Sequence, residues 1–307
     1  MVKKEPSLGE LRRFMDKLDD RLHDLLVERF SLVRQVAEAK ALEAGTVAAT
    51  AAAPQSAIRP GREAQVLRRL VAQNRGELPA EIVVKVWREL ISTATHMQGP
   101  YGAFVFDGDQ SKSYWDLARF YFGALTPLTL CKAADDILQA VMREKGCVGM
   151  LPSFNSAQST DGKWIKSLSA MGENRPRIVA QLPFIHGSAS SLDFHPALIV
   201  AAFDPEASGD DTSLLSIKVA SQVSEAELQA SLQTSGFHGV DIMLGPNSIG
   251  DDGRIFVVAV DGFVVSNDKR LSLGNDPSRS VFEDVMLLGA FANPIDLSGR
   301  SNSRAGS

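Results

Sequence analysis

The sequence predicts an α + α/β chain: a three-helix all-α N-terminal domain, then a small α/β lobe and a closing α+β domain. Three observations predict it. Apolar residues recur at three-four spacing from Leu8 to Val36, and after Gly9 neither Pro nor Gly interrupts them until Gly45. After Gly99-Pro100 the pattern changes to short apolar runs alternating with helical stretches, in the order β-α-β-α-β. From Thr212 the alternation returns in a second form, strand-helix-strand-strand. The expected boundaries are therefore 1–98, 99–208 and 209–297, with a Gly/Ser/Arg/Asn-rich tail at 298–307 expected to be disordered.

The first helix is expected over 7–41, with Ser7 as N-cap and Glu10 completing a capping box. At ~1.5 Å per residue it is ~50 Å long, more than a globule of ~100 residues can cover, so a partner helix and dimerisation are expected. Residues 41–57, rich in Ala and Thr, read as a flexible connection. A second helix is expected over 60–74, carried by Val66, Leu67, Leu70 and Val71. A third begins at Pro79 and runs to Met97 with Ile82, Val83, Val86, Leu90 and Ile91 as its apolar face. Strands follow at 103–106, 128–131 and 147–151, separated by helices at 114–122 and 133–144. Two more strands are expected at 178–185 and 197–203. The last region holds a strand at 214–219, a helix at 225–235, and strands at 240–244 and 254–260.

Composition excludes several classes. With 307 residues, 44% hydrophobic and 22% charged, the chain has material for two or three packed domains. No window of ~18 apolar residues occurs, so no membrane span is expected. The first ten residues lack the apolar core of a signal peptide. Two cysteines, Cys131 and Cys147, make neither a disulfide framework nor a zinc site, so a cytoplasmic location and no metal or cofactor are expected. A net charge of −5 argues against a general nucleic-acid binder. The charge is uneven: residues 1–98 carry 16 basic and 13 acidic side chains, residues 99–307 carry 16 and 24. The basic excess fits an N-terminal unit that handles an anion, and fits equally a solvated helical surface.

Arg12, Arg13, Arg29 and Lys40 stand out on the long helix. Arg29 and Lys40 lie within about 20° of one face and ~16 Å apart, so two long side chains can lean together around a small anion. Arg12 precedes Arg29 by 17 residues, ~100° round the helix, and cannot join that pocket from the same chain. In an antiparallel dimer it can enter the partner's pocket.

Residues 7–98 resemble the all-α chorismate mutase family of intertwined helical dimers. The resemblance rests on Leu11-Arg12, Leu18-Asp19-Asp20-Arg21-Leu22, Leu25-Leu26-Val27-Glu28-Arg29 and Val36-Ala37-Glu38-Ala39-Lys40. It continues through Arg59-Pro60-Gly61-Arg62-Glu63 and Trp87-Arg88-Glu89-Leu90-Ile91-Ser92 to Gln98. It implies chorismate as substrate and a homodimer in which Arg29, with Arg12 across the interface, pairs with the two carboxylates. It implies that Lys40 and Gln98 donate to the ether oxygen of the breaking bond. Glu63 would accept from the ring hydroxyl, with Arg62 nearby. The reaction is a Claisen rearrangement to prephenate, which needs no nucleophile, metal or general base. It needs the substrate folded and the charge growing on the ether oxygen stabilised. Two positions depart: Ala94 stands where a Ser is common, and Arg59 where an acidic residue is common.

Farther on, residues 113–123 are similar to the first helix of prephenate dehydratases, and Asp135-Asp136-Ile137 with Gly149-Met150-Leu151-Pro152-Ser153-Phe154-Asn155-Ser156 to a later helix, strand and loop. Residues 212–263 resemble, more faintly, an ACT domain, and the order matches the bifunctional P-proteins. The dehydratase signals are eroded. Asp107-Gly108-Asp109-Gln110 replaces the Gly-Pro-rich loop, His195-Pro196-Ala197 replaces the Thr-Arg-Phe motif, and about forty residues between Asn155 and His195 are too few for a second lobe. Val223-Ser224-Glu225-Ala226 replaces the Gly-Ala-Leu turn of phenylalanine binding. The expectation is a chorismate mutase with a degenerate extension, with an aromatic amino acid as an open effector. The alternatives are a non-catalytic sensing dimer and, third, a complete mutase/dehydratase.

Overall fold

The computed structural model describes residues 6–46, 57–108, 111–154, 163–173, 175–187, 194–220, 222–245, 254–275 and 281–297. Most of the connection expected at 41–57 and the whole tail expected from 298 lie outside them. The chain divides into two compact units, 1–57 with 94–99 and 58–93 with 100–307.

The first unit is built on α1 (Leu8–Thr46), a helix of 39 residues. It starts as expected: the Ser7 amide donates to Glu10 Oε2 at 2.8 Å and the Glu10 amide donates to Ser7 Oγ at 3.3 Å. It extends past 41 because the Ala-rich segment is itself helix-forming. Its apolar stripe is uncovered in this chain: Met15, Leu18, Leu22 and Leu25 are all more than half exposed.

The second unit takes α2 (Pro60–Gln73) and the first part of α3 (Ala80–Gln98). The three expected helices are all present, and the division between the two units falls between α1 and α2 and within α3. The buried stripe of α2, Ala64, Leu67 and Val71, packs into the same core as Tyr101, Val105, Leu117 and Val179. On α3 the buried face joins the expected Val83 to Val84, Arg88 and Ser92, while the expected carriers Ile82 and Val86 are exposed. The apolar pattern found only part of that face because the rest contains polar groups that find partners inside.

Among the described residues the sheet has nine strands. In chain order they include β1 (Gly102–Phe106), β2 (Leu128–Cys131), β3 (Cys147–Pro152), β4 (Arg177–Leu182) and β6 (Ala197–Ala201). Then come β7 (Asp211–Val219), β8 (Asp241–Leu244), β9 (Arg254–Asp261) and β10 (Phe282–Ala292). The spatial order is β2-β1-β3-β6-β4-β10-β7-β9-β8. β5 (Ile185–His186) and β11 (Ile295–Asp296) pair separately. Helices α4 (Ser111–Phe122), α5 (Ala134–Arg143), α6 (Lys163–Ala170) and α7 (Glu225–Thr234) cover it. The two-residue period shows in β6: Ala197, Ile199 and Ala201 face the core with α2 and α4, and Leu198 and Val200 face the core with α5 and α6. A third cluster joins Leu228 and Leu232 of α7 to Ile217, Phe256 and Val258. Among the described residues no helix is long and apolar enough to cross a membrane.

The expected boundary at 208 is not a break in this sheet. β10, for which the sequence signalled no strand, lies between β4 and β7 and joins the two halves. Its inner stretch Leu287–Phe291 is buried on both faces, so it lacks the alternation by which half-buried strands are recognised. Gly289 makes the junction possible: it sits at φ +150°, and a Cβ there would lie 2.1 Å from the Ile178 carbonyl oxygen. Gly289→Ala is expected to cost at least the ~1–3 kcal/mol of a residue forced into a glycine conformation, read as a lower urea midpoint. A midpoint unchanged from the parent would contradict this role.

Candidate active site

The structure places Arg12, Arg29 and Lys40 on one continuous helix. The helical rise separates Arg12 from Arg29 by ~25 Å and Arg29 from Lys40 by ~16 Å, so one chain does not bring all three together. Arg12 is exposed. Arg29 is half-buried, its guanidinium lies 5.5 Å from the Phe30 ring, and burial lowers its pKa. The Lys40 side chain lies outside the described residues. At the end of α3, Ala94 is buried and Gln98 Nε2 donates to the Ala94 carbonyl at 3.1 Å.

Glu63 of α2 belongs to a buried cluster in the second unit. Its Oε2 accepts from Arg88 Nη1 of α3, and its side chain is 11% exposed against 1% for Arg88. Arg88 Nε also donates to the Tyr121 carbonyl at 2.8 Å, and the guanidinium lies 3.6 Å from the Tyr121 ring centroid. Burial alone would push the Arg88 pKa down; Glu63, with Tyr121 and Tyr101, outweighs it and holds the group above its ordinary value. Burial raises both phenols, Tyr121 to about 12. The same face of α3 grips the end of α4 elsewhere: Ser92 Oγ donates to the Phe122 carbonyl, and Lys85 donates to the Arg119 and Phe120 carbonyls at 3.3 Å. Cations at a helix C-terminus complement its dipole.

The start of α2 is held by a carboxylate from the segment after β6. Glu206 Oε2 accepts from Arg59 Nη2 at 2.7 Å and Oε1 accepts from the Arg62 amide at 3.0 Å. A helix start favours an anion through its free amides and dipole. Gly61 permits the approach, since a Cβ there would lie 2.4 Å from the Glu206 carbonyl oxygen. Arg59, which the sequence presents as surplus positive charge, is thus already paired. The Arg62 guanidinium reaches Gln65 Oε1 at 3.2 Å. Arg68, one turn further, donates to Ser208 Oγ at 2.8 Å and to the Asp210 and Asn293 carbonyls at 2.7 Å.

Sequence reasoning missed Arg88 and Glu206. Arg88 carried a signal, a cation one helical turn from Val84 and from Ser92 on a shared stripe. Glu206 carried none, because its partners are more than 140 residues away.

Among the dehydratase-like positions, Asp107 follows β1, while Asp109, Gln110, Asn155 and Ser156 lie outside the described residues. Between Phe154 and Phe194 the described residues hold α6, β4 and β5, and β4 enters the one large sheet. His195 leads into β6, its amide donating to Ser113 Oγ at 3.0 Å. Cys131 and Cys147 are free thiols with pKa values raised by burial. Ser224 caps α7 in a capping box with Glu227, and hydrogen bonds from the Ser224 amide and hydroxyl hold that carboxyl below its ordinary range. A depressed carboxyl contributes stability above its unfolded pKa of ~4.3 and loses it as pH falls through the lower folded value. Hydrogen exchange at the first turn of α7 is therefore expected to accelerate below pH ~4, beyond its intrinsic pH trend.

Residues 11–99, under a third of the chain, match the family model described as chorismate mutase type II. A bifunctional chorismate mutase/prephenate dehydratase of Pseudomonas aeruginosa is 28% identical over 154 residues, 50% of this chain and 40% of the relative. One of Neisseria gonorrhoeae is 28% identical over 167 residues, 53% of this chain and 42% of the relative. The match thus spans about two fifths of the length of these relatives. The prephenate dehydratase structure of Streptococcus mutans aligns with 63% of this chain and 98% of its own, at 15% identity and a TM-score of 0.43.

Proposed function

We propose that the chain is a homodimeric chorismate mutase converting chorismate to prephenate, with its larger α/β unit as a non-dehydratase extension. Arg29 and Arg12 of the partner subunit pair with the two substrate carboxylates, a bidentate task suited to guanidinium. Lys40 and Gln98 donate to the ether oxygen as its charge develops. Glu63 accepts from the ring hydroxyl through Oε1, which has no partner among the described residues, while Arg88 holds Oε2. Arg62 adds positive charge at the start of α2, and Ala94 brings no hydroxyl to the substrate.

The observation that carries this function is the match of residues 11–99 to the mutase family. The uncovered apolar stripe of α1 supports a dimer, since exposed leucines along a 39-residue helix call for a second apolar face. The test follows loss of chorismate absorbance with purified protein, together with sedimentation equilibrium. Turnover by a dimer is expected; a monomer without turnover overturns the proposal. A non-catalytic sensing dimer is favoured by one observation, the commitment of Glu63 to Arg88 and of Arg59 to Glu206. It predicts thermal stabilisation by prephenate, phenylalanine or tyrosine without turnover. A complete mutase/dehydratase, the activity named for the relatives, predicts phenylpyruvate from prephenate.

A further inference from the structure

The α/β unit contains a cleft of about 210 Å³ that the mutase function does not use. Its origin is topological. β10 meets β4 at one register position, Gly289 opposite Ile178, and its ladder to β7 slips between Leu287 and Gly289. On the β4 side the Leu287 carbonyl is therefore met by two guanidinium groups rather than a strand amide: Arg175 Nη2 at 2.8 Å and Arg177 Nη1 at 3.3 Å.

Arg177 lines the cleft and is loosely bonded, whereas Arg175 is held at 2.7 Å by the Gly172 carbonyl and at 2.8 Å by that of Leu287. Among the described residues Arg177 makes only long contacts, 3.3 Å to Asp204 Oδ1, 3.3 Å to the Leu287 carbonyl and 3.4 Å to the Glu173 carbonyl. A well-seated charge-assisted bond is ~2.7–2.9 Å. Arg175 lies behind it with Nε buried and unpartnered among the described residues. Burial, reinforced by Arg177, pushes the Arg175 guanidinium down to about 10, although Asp284 and Glu173 act the other way. Among the described residues only the Asp204 carboxylate, 72% exposed, is within ion-pairing distance of either arginine. The facing wall is apolar, with Pro205, Phe263, Val264 and the half-exposed Val265.

The geometry points to a binding site for a small monocarboxylate with an apolar body. The carboxylate takes Arg177 in a bidentate pair, replacing its long contacts, and the body covers Phe263 and Val265. The volume holds roughly ten non-hydrogen atoms at interior packing density. The second carboxylate also balances two neighbouring guanidinium groups that now share one exposed partner. This site is independent of the mutase function.

Isothermal titration of the full chain with phenylacetate, acetate and benzyl alcohol tests it. Phenylacetate is expected to bind at least tenfold tighter than acetate, which lacks the body, and than benzyl alcohol, which lacks the charge. Arg177→Gln is expected to weaken phenylacetate at least tenfold. Since Arg177 also supports the sheet, Val265→Asp provides a second variant: it leaves the melting temperature unchanged and repels the carboxylate, again weakening binding at least tenfold. Absence of phenylacetate binding, equal binding of acetate, or parent affinity in a folded variant overturns the proposal.

Discussion

Arg88→Met is expected to lower the free energy of unfolding by about 3–5 kcal/mol, the cost of leaving one member of a buried ion pair alone. Arg88 is 1% exposed and is the only hydrogen-bond partner of Glu63 Oε2 among the described residues. Methionine fills much of the volume but offers neither the charge nor the donor that the Tyr121 carbonyl uses. Against a typical total of ~5–15 kcal/mol, such a loss brings the chain close to unfolding. The double variant Glu63→Met, Arg88→Met is expected to recover most of it, because exchanging a whole buried pair for apolar side chains is often neutral or stabilising. What stays lost is the bond to Tyr121, about 1 kcal/mol. Urea titrations of the two single variants and the double variant measure this cycle. If Arg88→Met unfolds at the parent midpoint, the pair does not hold α2 and α3 to the sheet.

Lys40→Ala is expected to lower kcat for chorismate by about 10²–10³-fold, or ~3–4 kcal/mol of barrier. The reaction moves no proton, so the enzyme's leverage is folding the substrate and stabilising charge on the ether oxygen. Under the proposed function the Lys40 ammonium is the group expected to supply the larger part of that stabilisation. KM is expected to change little, because the charge Lys40 opposes grows only in the transition state. The substitution lies within α1, where alanine is a good helix former, so the melting temperature should hold. Near-parent turnover in this variant would falsify the assignment of Lys40.

Much of this molecule was legible in the sequence for identifiable reasons. The capping box at Ser7 and Glu10 and the run of α1 follow from neighbours three and four residues apart. The strands at Ala103, Leu128, Cys147 and Ala197 are apolar runs bounded by turns. The cationic spacing on α1 was readable too, since a straight helix fixes the angle and distance between Arg29 and Lys40. The inward face of α3 was not, because Arg88 and Ser92 are solvent residues by type and are buried only through partners on α4. β10 was missed for a related reason, its two-sided burial removing the alternation that marks a strand.

By itself the sequence determined the local elements and the residue types of the mutase segment, because periodicity, caps and motif order involve residues close along the chain. Tertiary structure alone decided that α2 is seated by Glu206 and Arg68, and that Glu63 faces Arg88. It alone decided that one sheet runs through both halves of the C-terminal region. Those pairings join residues 25 to more than 140 positions apart, and long-range contact is settled by shape and charge after folding rather than by any local pattern.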